Sequence, residues 1–118
     1  MRNIQQQGAQ GDVLFRRVPA IPDGYVAEQS TRGTIVAHSE TGHHHMIPEL
    51  VTLYRHPSDR LVCYLRVDAD VEDGGVSVVH QRPFDTHETL RLVSQPGDVW
   101  EIRRQREHTP EGWRMVMD

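Results

Sequence analysis

Along most of the chain apolar and polar residues alternate with a period of two, and turn residues interrupt the alternation every few positions. In Leu61–Val67 the period sets Leu61, Cys63, Leu65 and Val67 on one face and Val62, Tyr64 and Arg66 on the other. Read in this way, the chain contains nine short strands: Asp12–Val18, Tyr25–Gln29, Thr34–His38, Leu50–Arg55, Leu61–Val67, Val76–Gln81, Thr89–Val93, Val99–Arg106 and Trp113–Met117. No segment carries the apolar stripe of an amphipathic helix. Pro83–Leu92 comes nearest, but it places Thr, Asp and Arg where that stripe would run, so it reads as a loop entering a strand.

The breaks have a physical cause. Pro19-Ala20-Ile21-Pro22-Asp23-Gly24 combines two fixed φ angles with a glycine able to take positive φ, which a helix interior would reject. Pro57-Ser58-Asp59-Arg60 joins two strands at hairpin distance, and Asp73-Gly74-Gly75 precedes another. Many short strands at this spacing predict an all-β fold, a single-domain β-barrel or β-sandwich over 12–118. Residues 1–11, rich in Gln and Gly and without apolar periodicity, read as a flexible N-terminal arm that orders on contact.

The length of 118 residues fits one small domain, which a partner subunit would help to stabilise, so a homo-oligomer is expected. There are 13 basic and 17 acidic residues, a net charge of −4, which argues against a nucleic-acid binder driven by phosphate contacts. Every basic residue is Arg. Arg103, Arg104 and Arg106 could join Arg16, Arg17 and Arg114 in an anion-binding face. Alternation divides them, however, with Arg104 and Arg106 in phase with Trp100 and Ile102, and Arg103 in phase with Glu101. The nearby glutamates favour a salt-bridged, solvated face.

Cys63, the one cysteine, falls on the apolar face of its strand and reads as a small core residue in a reducing compartment. The N-terminal residues carry no apolar signal region and no apolar run reaches about 20 residues, so a cytoplasmic location and no membrane are expected.

Eight histidines are the feature that points to chemistry. In Gly42-His43-His44-His45 an extended backbone sends His43 and His45 to one side and His44 to the other. Two imidazoles on one face make half of a site for a divalent transition metal, whether zinc, iron, nickel or manganese. His80, His87 and His108 are available to complete it. His56, beside a proline turn, and His38, alone at a strand end, read as structural. No nucleophile elbow, phosphate loop or nucleotide fingerprint is present. The expected function is a metal-binding β domain, with metal His43, His45, His80 and His87, acting as a plain binder or as a metal-dependent enzyme on a small molecule. The alternative is a non-enzymatic interaction module.

Two resemblances bear on this expectation. His43-His44-His45-Met46-Ile47-Pro48-Glu49 resembles the H-x-H-x3-E core of the first cupin motif, and Gly97–His108 keeps the Gly and the His of the second. The chain departs from the cupin pattern at Ala37, Arg103 and Gln105, where cupins carry Gly, Pro and Gly. The likeness implies a cupin-like barrel with His43, His45, Glu49 and His108 around the metal. The segments QGDVLFRRVP, TGHHH and QREHTPEGWRMV also resemble a group of small uncharacterised bacterial and phage proteins. That resemblance implies His80 and His87, rather than His108, as the far-side partners.

Overall fold

The computed structural model of the chain describes residues 2–37, 44–68, 74–80 and 89–104, together with the backbone of 106–109 and 112–115. Among these residues all regular structure is strand: β1 (Arg2–Ile4), β2 (Gln7–Gln10), β3 (Val13–Val18), β4 (Val26–Ala27), β5 (Thr34–Ala37), β6 (His45–Ile47), β7 (Val51–His56), β8 (Asp59–Val67), β9 (Gly75–His80), β10 (Leu90–Val93), β11 (Val99–Arg104), β12 (Arg106–Thr109) and β13 (Gly112–Met115). No described helix is long and apolar enough to cross a membrane.

The all-β expectation holds, in its sandwich form rather than as a closed barrel. One sheet has the order β1-β10-β9-β6-β5 and the other β2-β3-β11-β8-β7-β4, while β12 and β13 pair, among the described residues, with each other alone. The inward faces meet in a single core. Ile4, Val36, Ile47, Val76, Val78, Leu90 and Leu92 come from the first sheet, and Val13, Phe15, Val51, Leu53, Cys63, Leu65, Trp100 and Ile102 from the second. Each large side chain in this list contributes about 1.5–3 kcal/mol by leaving water.

β11 is the organising strand of the second sheet, pairing antiparallel with β3 on one side and β8 on the other. Its indole, Trp100, is fully buried and donates to Ser94 Oγ at 2.8 Å, and Ser94 in turn donates to the Leu92 carbonyl at 2.8 Å. Arg17 lies over the same ring, 4.8 Å from its centroid, and pairs with Asp98 at 2.6 Å and with the Val93 carbonyl. These contacts tie the two sheets together at one end.

Four strands lie outside the nine expected. The arm anticipated over 1–11 is instead built into the sandwich: β1 runs parallel to β10, β2 pairs with β3, and Ile4 and Gln10 are buried. Its polar composition hid this, because both strands are specified by the sheet edges they cover and not by their own periodicity. β6 was hidden by its histidine, and the expected strand Val99–Arg106 is divided between β11 and β12. Gly8 bears on the β1–β2 corner, since a Cβ there would come within 2.5 Å of the Ile4 side chain.

Two outcomes are expected. At Gly75 an added Cβ would meet the Leu92 carbonyl oxygen at 2.3 Å, and cross-strand backbone cannot step aside. Gly75→Ala should therefore cost about 1–3 kcal/mol, read as a lower urea midpoint at unchanged slope. Burial alone would raise the Asp98 carboxyl, but the Gln95 amide and the Arg17 guanidinium outweigh it and hold the group below its ordinary value. Its stabilising contribution is thus complete above the ordinary carboxyl value of about 3.9 and is lost as pH falls through the lower folded value. Asp98→Asn should flatten that part of the acid-unfolding curve.

Candidate functional site

Alternation carries two histidines into the core. In β9 the inward positions are Val76, Val78 and His80; in β6 they are His45 and Ile47. His45 stands directly opposite His80 in the antiparallel register, and the two rings stack with centroids 4.0 Å apart and planes 12° from parallel. Each is 1% exposed. They occupy the end of the sandwich opposite the Arg17 contacts, where β5 ends at Ala37, paired with His45, and β9 ends at His80.

The second sheet supplies the partners. Gln10 closes β2 and Val13 opens β3, with only Gly11 and Asp12 between the paired ends; Gly11 adopts φ 60°, as a two-residue hairpin turn demands. Gln10 reaches across the core and donates from Nε2 to the Val78 carbonyl at 2.9 Å. A carbonyl can only accept, so this bond orients the amide and leaves Oε1 as the atom 2.8 Å from His45 Nδ1. Nδ1 therefore carries the proton and donates. Nε2, the other ring nitrogen, faces Asp12 Oδ1 at 3.8 Å.

Asp12 is itself buried, its side chain 2% exposed, and its Oδ2 accepts from Arg104 Nη2 at 3.2 Å. Arg104 lies in phase with the buried Trp100 and Ile102, which draws its guanidinium toward the interior. Asp12 Oδ1 and Arg104 Nε have no hydrogen-bond partner among the described residues. The cluster thus joins two imidazoles, a carboxylate, an amide and a guanidinium at one end of the core.

Of the four expected metal ligands, the structure brings His45 and His80 together. His43 and His87 lie outside the described residues, as does His38. His108 stands opposite Trp113 in the β12–β13 pair, and only its backbone is described. Glu49, the carboxylate implied by the cupin likeness, accepts from the Ser77 amide at 2.8 Å, four residues along the chain from His45. Among the described residues no group of three His, Cys, Asp or Glu is arranged to hold a metal.

His56 packs against Tyr25 at 5.2 Å and accepts from the Ser58 amide at 3.0 Å, a structural role in its turn. Cys63 is buried, and burial pushes its thiol up to about 11, so it is a core residue and not a nucleophile. Gln10, Asp12 and Arg104 went unrecognised as site residues. The available signal was phase for Arg104, and for Asp12 its position in a tight turn entering an apolar strand.

Fold and cluster together define a small two-sheet β-sandwich with a buried histidine pair at one end. The chain belongs to the family described as Domain of unknown function (DUF8820), whose family model matches residues 9–105. The matched span contains Gln10, Asp12, His45, His80 and Arg104. No curated protein matches the chain, and no solved structure does.

The buried ion pair generates a test. Asp12→Ala removes the carboxylate that accepts from Arg104 and should cost about 3–5 kcal/mol, because a guanidinium is left without its counter-charge. Asp12→Ala combined with Arg104→Met should recover most of that loss in chemical denaturation.

Proposed function

We propose that the chain is a divalent-metal-binding β domain whose ion sits at the His45–His80 end of the sandwich. The observation that carries this reading is the hydrogen bond between His45 and Gln10, from which the tautomer of His45 follows. Its Nδ1–H is spent on Gln10 Oε1, which turns Nε2 toward Asp12, the arrangement in which an outer partner fixes a ligand imidazole. His45 and His80 serve as ligands, with His43 and His87 joining from the stretches 38–43 and 81–88, which begin and end beside them in sequence. Asp12 Oδ1 is added to the candidates, since one ion with bonds of about 2.0–2.2 Å can span a 3.8 Å gap. Zinc, iron, nickel and manganese all suit imidazole and carboxylate donors. The two rings lie in nearly parallel planes, so an ion shared by both would require them to tilt apart.

An ion with an open position would supply Lewis acidity or activate bound water toward a small-molecule substrate. In this reading the domain works in the cytoplasm, apart from membranes and nucleic acid. The cupin likeness enters only as motif chemistry, through His43 and His45, because Glu49 is engaged by Ser77.

A second reading is favoured by a different observation. The β12–β13 hairpin hydrogen-bonds to neither large sheet among the described residues, and an isolated hairpin is marginal in water. The non-enzymatic alternative is therefore a homo-oligomer in which the hairpin pairs with a second copy and the polar cluster only shapes the core.

Metal analysis of untagged, reconstituted protein separates the two. His43→Ala, His45→Ala, His80→Ala and His87→Ala should each strip the ion, whereas His44→Ala should retain it. Because ligand imidazoles must be neutral, occupancy should fall as pH drops below about 6.5. Thermal melts identify any variant that fails to fold, and His43 and His87, outside the described core, keep the test intact if His45 or His80 is needed for folding. Equal metal content in all variants, or none in the wild type, together with a native mass that falls on deleting 106–118, would install the second reading.

A further inference from the structure

The outer face of the six-stranded sheet carries a separate cluster. Register places Gln7, Arg16, Glu101 and Tyr64 side by side across four strands, and Ala9, Leu14, Arg103 and Val62 in the next outward row. β2 contributes only Ala9 beside Leu14 here, so the longer residues of β3 and β11, with Gln7, wall a cavity of about 520 Å³, within the range of small-molecule sites. Leu14, one of the few large apolar residues left exposed, lines it beside Ala9.

Glu101 faces this side and yet is only 6% exposed. Its Oε2 accepts from the Tyr64 hydroxyl at 3.1 Å and from Arg16 Nη2 at 3.2 Å, and its Oε1 from Arg103 Nε at 3.4 Å. Burial, then the adjacent carboxylate, pushes the Tyr64 hydroxyl up to about 12, so it stays a donor across the working pH range. One carboxylate thus aims two guanidinium groups whose side chains are 56% and 52% exposed. Among the described residues each arginine engages a single nitrogen with Glu101, and the Asp59 carboxylate also lies in the field of Arg103. Most of the donors of both forks are therefore unspent.

We propose that this cavity binds a small organic monoanion, a carboxylate on a short apolar chain, held between Arg16 and Arg103 with its chain against Leu14. Glu101 is a positioning residue, held by Tyr64, that fixes the two forks. A neutral ligand would leave the unspent guanidinium donors without a charged acceptor, and an ion without an apolar part would leave Leu14 in water.

Calorimetric titration with hexanoate at low ionic strength tests the proposal, using the full chain. Saturable one-to-one binding is expected, with hexan-1-ol weaker by about tenfold and hexanoate weakened by about tenfold in Arg16→Gln and in Arg103→Gln. Leu14→Glu, which sets a second carboxylate in the cavity, should abolish it. These positions are on the exposed face, and circular dichroism confirms the fold of each variant. Equal binding of the alcohol, unchanged affinity in both arginine variants, or no saturable binding of hexanoate would overturn the proposal.

Discussion

Taking a guanidinium, a carboxylate and two imidazoles out of water costs several kcal/mol per ion unless partners are already in place. The end of this sandwich meets that constraint by drawing on both sheets. Arg104 comes from β11, Asp12 from the β2–β3 turn, Gln10 from β2, and the stacked rings from β6 and β9. No single strand could satisfy the group, so the cluster and the closure of the two sheets require each other. Gln10, with one amide hydrogen bond to the Val78 backbone and another to His45, is the stitch that joins them.

β11 shows how one strand serves two faces. Trp100, Ile102 and Arg104 turn inward, the first two to the apolar core and the third to the polar end. Glu101 and Arg103 turn outward, where Tyr64 and Arg16 join them across the neighbouring strands. The pleat therefore separates two clusters of opposite character by a single residue step, and a one-residue slip in register would exchange them.

Much of this was legible in the alternation. The face assigned to Leu61–Val67, the core position of Cys63 and the opposite phases of Arg103 and Arg104 all follow from a period of two, and each is found in the structure. The turns at Gly24, Gly74 and Gly97 adopt the positive φ that their glycines permit. What stayed hidden depends on distance along the chain. Gln10 gains its meaning from His45, 35 residues away, and from Val78, 68 residues away. β1 and β2 have too few apolar residues to reveal a strand, and they are held by the edges they complete. β6 escaped because a histidine occupies a core position that pattern reading reserves for aliphatic side chains.

The parallel pairing of β1 with β10 sets an order of events. Arg2, Asn3 and Ile4 align with Leu90, Arg91 and Leu92, and Arg16 in β3 aligns with Glu101 in β11. Strands β1 and β3 thus wait on the ribosome for partners made far later along the chain, and the edges those partners will cover stay unsatisfied until they arrive. Contacts of such long sequence separation carry their loop-closure entropy before any reward, which favours slow folding that completes only once β10 and β11 have emerged. For a newborn copy of this protein, the interval of greatest exposure to mispairing with its neighbours is the time between Ile4 leaving the tunnel and Leu92 arriving beside it.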